Sequence, residues 1–454
     1  MVVYQMLMRL PELLVFSLGI IITFGLIIVT FFPSVAIASE DQKKQVTITV
    51  ILDDQGDPPR LLKWLFQPAI KELETRHKDL EIKLDYRPVP YLNLHDQISK
   101  SMANQTPVDI LTVDHIWLGE FAEKGYLTDL TNFTKNWGRS SDWYEGNWDG
   151  GVYNDKVYGI WTVVDVRGLW YWKDLLDRAG VDPNSMKTWN GYIEGAKKLN
   201  TMLRPEGIEG VHLVGASHSP DIDFYPYLWM LGGDIIGLKS GHPSKGTYWF
   251  PTYNNTEGIR ALGFIKAQLD AGIKPQKNHY WGKEFLERKF AVMLEALQNH
   301  VHVNTTEQKQ EFEHKVGFLP MFPVPDGTNR SATMMGGWEL SVTNKSKNKD
   351  LSWELVTIML DPKIITPFFE KYGLLPTQIP IGDGEYSANL SKTIPYYEQL
   401  ISMLQLKGVR PNIPEFPQIA DHLRQALDEV LYQSKDPKVA LDEASAKSAK
   451  ALGW

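Results

Sequence analysis

The stretch QVTITVIL at residues 45–52 alternates apolar and polar residues and is rich in β-branched side chains. This pattern predicts a strand. The next patterns predict a helix over Leu61–His77, a strand over Glu81–Tyr86, a helix over Leu94–Ala103 and a strand over Val108–Val113. Strands that alternate with helices at these lengths predict an α/β lobe with a mainly parallel sheet.

The chain has 454 residues, which is longer than one hydrophobic core comfortably organises, so two domains are the natural expectation. Extended and helical patterns continue through the remaining length and end in an amphipathic helix over Pro437–Ala451. No low-complexity linker separates two halves of the sequence. The pattern therefore favours two lobes whose segments are interleaved along the chain.

The composition excludes several classes of protein. A formal net charge of −8 cannot supply a broad basic face, which argues against nucleic-acid binding. The sequence has no cysteine, so disulfides, thiolate zinc sites and a lipid-modified cysteine anchor are excluded. It also has 15 Trp, 19 Tyr and 18 Phe, most of which we expect in cores and some in the wall of a ligand cleft.

The N-terminus predicts export from the cytoplasm. An uncharged apolar run covers Leu13–Phe32, and the small residues Ala36 and Ala38 then form an A-x-A-like cleavage signal. The run is also long enough to span a bilayer. Residues 1–38 are therefore either a signal peptide cleaved after Ala38, which we favour, or a retained membrane anchor. Both place the rest of the chain in the periplasm or on the outer face of the cytoplasmic membrane, with this segment as the only membrane contact.

Five segments of the exported chain resemble the sugar-binding proteins of family 1, the maltose- and trehalose-binding-protein-like group of extracellular solute-binding proteins. They are VDI (108–110) leading to EKGYLTDL (123–130); GI (159–160) through DVR (165–167) and LWYWKDL (169–175) to KTW (187–189); GGWEL (336–340); YGLLPT (372–377); and RPNIP (410–414). Each match is short. Their shared order along the chain is what makes the resemblance specific.

The resemblance implies a two-lobed periplasmic-binding-protein fold of type II. Each lobe would be a mainly parallel sheet with helices on both faces, and three crossing segments would form the hinge. The N-terminal lobe would comprise residues 45–161 and 317–360, and the C-terminal lobe residues 162–316 and 361–454. The implied function is that of a receptor and not an enzyme: it captures a small carbohydrate between the lobes and delivers it to the permease subunits of an ABC importer.

A sugar site needs carboxylates, amides or Arg for the hydroxyl groups and flat aromatic rings for the C–H faces. In an open α/β sheet these groups come from the carboxyl ends of strands. Asp54 follows the first strand, where a solvated turn is the alternative, and Asp114 and Trp117 follow the third. Asp165 matches an acidic contact of the family, with a local ion pair to Arg167 as the alternative.

Later positions supply the rest of the predicted site. Trp338 is the main aromatic candidate, because Gly336 and Gly337 would let the backbone approach a ligand while the indole stacks on it. Arg410 is a candidate donor to sugar hydroxyls, with a surface Arg as the alternative. Three further candidates, for which core packing is the alternative, are Trp229, Gly233 and Tyr372.

The segment LEALQN at 294–299 departs from the family pattern. Many relatives place a tryptophan there that stacks on the sugar. Here Glu295 and Gln298 would make the wall of the second lobe polar. We therefore expect a small, hydroxyl-rich ligand, a disaccharide or glucoside osmolyte such as trehalose, sucrose or glucosylglycerol, rather than a maltodextrin.

Three other functions have weaker support. A secreted glycoside hydrolase needs two carboxylates on a rigid site, which the many Asp and Glu residues could supply, but the resemblance is to binding proteins. His300 and His302, with the pair His212 and His218, are too few to complete a metal site. A structural envelope protein is suggested only by the alternative anchor. We expect a monomer that needs neither a metal nor a cofactor.

Overall fold

The computed structural model describes residues 43–53, 61–214, 221–276, 282–297 and 305–454. Within these ranges strands and helices alternate, and none of the helices has the length and apolar character that crossing a bilayer requires. The apolar run Leu13–Phe32 lies outside them, as do two of the predicted site residues, Asp54 and Gln298.

The described strands are β1 (Lys44–Leu52), β2 (Leu80–Pro88), β3 (Ile110–Asp114), β4 (Val152–Tyr153), β5 (Lys156–Val157), β6 (Ile160–Val166), β7 (Gly168–Trp172), β8 (Glu209–Val211), β9 (Leu213–Val214), β10 (Ile236–His242), β11 (Gly246–Pro251), β12 (Pro275–Gln276), β13 (Phe290–Glu295), β14 (Val316–Leu319), β15 (Met335–Val342) and β16 (Leu375–Pro376).

The described α-helices are α1 (Gln67–Arg76), α2 (Tyr91–Ala103), α3 (Leu118–Glu123), α4 (Thr131–Trp137), α5 (Glu145–Gly150), α6 (Lys173–Arg178), α7 (Trp189–Leu203), α8 (Asp221–Met230), α9 (Thr256–Asp270), α10 (Lys283–Leu286), α11 (Thr306–Lys315), α12 (Lys349–Met359), α13 (Pro362–Tyr372), α14 (Ile379–Gly382), α15 (Ser387–Thr393), α16 (Tyr397–Ser402), α17 (Phe416–Gln433) and α18 (Pro437–Ala451). A π-helical segment at Leu62–Phe66 precedes α1, and a 3₁₀ turn at His115–Trp117 follows β3.

A six-stranded sheet in the order β16-β6-β15-β3-β1-β2 forms the centre of one lobe. The predicted strand β1 is parallel to both of its neighbours, β2 and β3. It becomes fully buried from Ile48 onward, which is why its apolar residues there no longer alternate with exposed ones. β15 and β16 come from much later in the chain and pair antiparallel with their neighbours.

A four-stranded sheet in the order β14-β7-β13-β8 forms the centre of the other lobe. β13 is parallel to β8, whereas β7 is antiparallel to both β13 and β14. The α/β prediction is confirmed, but the sheets are mixed and not mainly parallel. β7 follows β6 of the other sheet and β15 follows β14 of the other sheet, so neither strand is joined to a neighbour in its own sheet by the strand–helix–strand unit that makes neighbouring strands parallel.

Three segments meet where the chain passes between the sheets. Arg167 alone separates β6 from β7. The Thr333 hydroxyl, which lies between β14 and β15, donates to Arg167 O at 2.7 Å and accepts from Arg167 N at 3.2 Å. Met335 N donates to Gly408 O at 2.8 Å, which brings a third segment to the same place. The lobe limits at residues 161, 317 and 360 remain predictions; β6 and β14 each continue past residues 161 and 317 within one sheet.

Candidate functional site

The carboxyl end of β3 holds a buried carboxylate among polar partners. Asp114 is 7% exposed. Its Oδ2 accepts a hydrogen bond from Tyr91 Oη at 3.1 Å, and its Oδ1 accepts one from Ile116 N at 3.4 Å as the chain enters the 3₁₀ turn. Oδ1 also lies 3.3 Å from His115 Nδ1 and 3.8 Å from Arg410 Nη2. The fold thus brings Asp114 and Arg410, which are 296 positions apart in the sequence (410 − 114), against each other.

The electrostatics of this group favour a charged Asp114. Burial alone would raise its pKa, but the hydrogen bond with His115 and the charge of Arg410 outweigh burial, and the pKa of Asp114 is lowered from its ordinary value. Burial and the charge of Arg410 lower the pKa of His115. At neutral pH the cluster is therefore a carboxylate beside a neutral imidazole and a guanidinium.

Three aromatic rings form a wall next to Asp114. Tyr91 stacks on Trp117 with ring centroids 5.6 Å apart and planes 17° apart. Trp338, which pairs with Asp114 across β15 and β3, stands edge-on to Tyr91 at 5.8 Å and to Trp117 at 6.3 Å. Trp117 is buried, whereas Trp338 keeps part of its surface exposed. Of the three rings, Trp338 and Tyr91 are therefore the ones that a ligand could reach.

The two glycines before Trp338 make room for protein side chains. A Cβ at Gly336 would lie 2.9 Å from Asp165 Oδ2, and one at Gly337 would lie 1.7 Å from Trp161 Nε1. Such distances exclude any side chain at Gly337. The glycines therefore allow Asp165 and Trp161 to pack across β15, which differs from the expected close approach of a ligand to the backbone.

An ion cluster links the ends of strands from the two sheets. Arg167 Nη1 lies 3.3 Å from Asp165 Oδ1 on β6, and Arg167 Nε lies 3.2 Å from Glu295 Oε1 at the end of β13. The side chains of Arg167 and Glu295 are 8% and 3% exposed, against 22% for Asp165. The ion pair weighed as the alternative for Asp165 is thus present.

Glu295 accepts further hydrogen bonds next to this cluster, which its position in the sequence did not predict. Its Oε1 also accepts from Ala296 N at 2.8 Å, and its backbone O accepts from Trp170 Nε1 at 2.9 Å. Burial raises the pKa of Asp165, the charge of Arg167 opposes the rise, and Glu295 adds to it. Glu295 therefore closes a buried ion pair and does not form an exposed polar wall.

The weaker candidates lie in packed surroundings. Trp229 is 3% exposed and its Nε1 donates to Asp234 Oδ1 at 3.1 Å. A Cβ at Gly233 would lie 2.4 Å from Leu228 Cδ1. The Tyr372 ring contacts the rings of Trp64 and Phe368. All of these contacts are those of core packing, which was the alternative to ligand binding for these residues.

Sequence reasoning missed Tyr91, His115 and Glu339. Tyr91 begins α2 after a proline, where nothing marks it as a partner of Asp114. Glu339 is 0% exposed, and within the described ranges neither of its carboxyl oxygens has a hydrogen-bond partner. Burial raises its pKa well above the ordinary value, and the charge of Asp114 adds to the rise. The available signal for Glu339 was the alternation of side chains along β15, because the residue after Trp338 must face away from it.

The described residues contain no group of three or more His, Cys, Asp or Glu side chains that could hold a metal ion. His212 is 3% exposed and stands edge-on to Phe290. His218, His300 and His302 lie outside the described ranges.

The comparison with protein families decides the class of the molecule. A profile described as bacterial extracellular solute-binding protein matches residues 62–364, which are 303 of the 454 residues (364 − 62 + 1). The chain belongs to this family. The predicted family is thereby confirmed, and so is the prediction of a receptor in place of a glycoside hydrolase. The family is an extracellular one, which agrees with the predicted export.

Individual solute-binding proteins match over almost the whole chain. A binding protein of Brucella abortus (strain 2308) is 22% identical over 425 residues, covering 91% of this chain and 94% of that protein. The arabinooligosaccharide-binding protein of Bacillus subtilis is 22% identical over 396 residues, covering 83% and 87%. An ABC transporter solute-binding protein of Thermotoga lettingae, solved with α-D-tagatose, has a TM-score of 0.74 at 21% identity and covers 90% of this chain and 100% of its own. This likeness confirms the two-lobed α/β fold.

Proposed function

We propose that this solute-binding protein captures a small carbohydrate for an ABC importer. The wall of Tyr91, Trp117 and Trp338 beside the charged Asp114 carries the proposal. Flat rings suit the C–H faces of a sugar, and a carboxylate next to a guanidinium suits its hydroxyl groups. The sugars named for the Bacillus and Thermotoga relatives support the same class of ligand.

The ligand of this proposal is a disaccharide or a glucoside osmolyte, such as trehalose, sucrose or glucosylglycerol. The support is the sequence after β13, where Ala296 and Leu297 follow Glu295 and no tryptophan is available to stack on a long oligosaccharide. The buried state of Glu295 removes one polar group from that wall. Gln298, the other polar candidate of that segment, lies outside the described residues.

Lobe closure completes the proposed mechanism. A ligand that contacts both lobes only in the closed form shifts the equilibrium toward closure. Arg167 separates β6 from β7 and pairs with a carboxylate from each sheet, so it lies where the lobes would pivot. The closed form then delivers the sugar to the transmembrane permease subunits. We propose that the protein acts as a monomer, with residues 1–38 as a cleaved signal peptide or an anchor.

A thermal-shift screen of the exported chain tests the ligand class, because a ligand that binds only the folded state raises the melting temperature. The panel should contain trehalose, sucrose, glucosylglycerol, arabinooligosaccharides, amino acids and a tripeptide. We expect stabilisation by a member of the first three. Stabilisation by amino acids or the peptide, with none by any carbohydrate, would refute the carbohydrate assignment.

Trp338→Ala tests the site itself. We expect affinity for the sugar found in the screen to fall at least about ten-fold, because an exposed ring that stacks on a ligand contributes much of its binding energy. Trp249→Ala is the matched control, since Trp249 is also a half-buried tryptophan but contacts Trp454 at the chain end. Isothermal titration of both variants, with unfolding curves, separates lost binding from lost structure. Equal affinities for Trp338→Ala and the control would place the sugar elsewhere.

A further inference from the structure

A second, mostly apolar pocket adjoins the wall of the proposed sugar site. It lies against the six-stranded sheet. Val163, Trp338 and Leu340 of the sheet form its floor, and Leu65 and Phe368 of the overlying helical segments form its roof.

The hydroxyl groups inside this pocket already have partners in the protein. Thr112 Oγ1 accepts a hydrogen bond from Asp53 N at 3.1 Å, and Thr162 Oγ1 donates to Ile160 O at 3.2 Å. A sugar ring placed here would bury several hydroxyl groups among leucines and aromatic rings, where unpaired hydroxyls are costly. An apolar group carries no hydroxyl that would need a partner there, and among the described residues that line the pocket the one with a carboxylate is Asp53 at the end of β1.

Trp338 belongs to both sites. Its ring stands edge-on to Tyr91 and Trp117 in the sugar wall, and the same residue lines the apolar pocket. The pairing of β15 with β3 places Asp114 beside Trp338 and Thr112 beside Leu340 on the same face of the sheet. A ligand stacked on this indole is thus next to the pocket.

The geometry points to a glycoside with a small apolar aglycone, whose sugar ring lies against the aromatic wall and whose alkyl or aryl group enters the pocket lined by Val163, Leu340 and Phe368. This inference rests on the proposed function for the sugar part of the ligand. The affinity of the pocket for an apolar group does not rest on the proposed function. The residues that form the pocket differ from Asp114 and Arg410, which would face the hydroxyl groups of the sugar.

Fluorobenzene tests the pocket without a sugar. We expect saturable binding to the exported chain in ¹⁹F NMR titrations, and its loss in Leu374→Trp, which fills the pocket from a half-buried position before β16. Val163→Phe fills it from the floor and serves as the second variant should Leu374→Trp not fold. Absence of saturable binding to the wild type, or binding that survives in a folded filled variant, overturns the inference.

Matched glucosides test the link between the two sites. Phenyl glucoside should bind the wild type about ten-fold tighter than methyl glucoside, because the ring is removed from water. Leu374→Trp should abolish this advantage and leave the affinity for methyl glucoside unchanged. Equal affinity of the two glucosides for the wild type overturns the aglycone assignment. If neither glucoside binds, the glucoside form of the proposed function and the aglycone assignment fail together, and fluorobenzene still decides the pocket.

Discussion

Two buried carboxyl groups of the six-stranded sheet lie on opposite faces and in opposite electrostatic states. Asp114 pairs across the strands with Trp338, and Glu339, the next residue, pairs with Val113. We refer to the face of Asp114, Asp165 and Trp338 as the site face and to the face of Glu339 as the reverse face. Asp114 is 7% exposed and Glu339 0%, so burial differs little between them.

The neighbouring groups, and not the extent of burial, account for the difference in electrostatic state between Asp114 and Glu339. His115 and Arg410 hold the pKa of Asp114 below the ordinary value, whereas burial without a described hydrogen-bond partner raises the pKa of Glu339. The two groups impose opposite pH dependence on stability. The contribution of Asp114 is present above the pKa of the unfolded chain and is lost as pH falls through the folded pKa. The contribution of Glu339 is present at low pH and is lost as pH rises from the unfolded pKa toward the folded one.

Arg167→Met should have the largest effect, because it removes the partner that Asp165 of the site face shares with the buried Glu295 of the four-stranded sheet. We expect a loss of about 3–5 kcal/mol in the free energy of unfolding at pH 7, measured by urea denaturation. Arg178→Met is the control, since Arg178 pairs with Glu206 at the surface, where the two side chains are 44% and 47% exposed. A loss in Arg167→Met no larger than in this control would contradict the view that the cluster depends on pairing.

Tyr91→Phe removes the hydrogen bond that the Tyr91 hydroxyl donates to the charged Asp114 on the site face. We expect a cost of about 1–2 kcal/mol at pH 7. The pKa of Asp114 should rise toward its ordinary value, so the loss of stability on acidification should begin at a higher pH than in the wild type. Unfolding curves from about pH 3 to about pH 7 measure both effects, because this range spans ordinary carboxyl pKa values of roughly 4. Identical acid profiles of variant and wild type would mean that Tyr91 does not help to hold Asp114 charged.

Glu339→Gln changes the buried carboxyl group of the reverse face and should have a smaller effect than the other two substitutions. The variant keeps the shape of the side chain and removes its titration. We expect it to be more stable than the wild type by on the order of 1 kcal/mol at about pH 8 and to lack the wild-type decline in stability above the ordinary carboxyl range. Glu398→Gln, at an exposed position of α16, should leave the decline unchanged. If the stability of Glu339→Gln declines by the same amount as that of the wild type over this pH range, the decline arises from another titrating group.

Local patterns predicted the elements that carry the strongest periodic signals. The alternation at 45–52 lies within β1, and the C-terminal helix spans Pro437–Ala451 as expected, with the Asp436 side chain capping it through Val439 N. These predictions succeed because they depend on residues within one turn or one strand.

Other features of the site depend on residues far apart in the chain. The partner of Glu295 is Arg167, 128 positions away, and that of Arg410 is Asp114. The roles expected for Glu295 as an exposed wall and for Gly337 as a point of ligand approach assumed free space, which Arg167 and Trp161 occupy. No local pattern reveals which distant side chain fills a space.

The sequence by itself determined the class of this protein: an α/β chain in two interleaved lobes, with the composition and ordered segments of a solute-binding receptor. Only the tertiary structure decided the mixed direction of the sheets, the pairing of the buried charges and the pocket beside Trp338. The physical reason is that strand direction, the ionisation of a buried carboxyl and the volume of a pocket are set by contacts between crossing segments. The hydrogen bonds from Arg167 N to Thr333 Oγ1 and from Met335 N to Gly408 O are contacts of this kind.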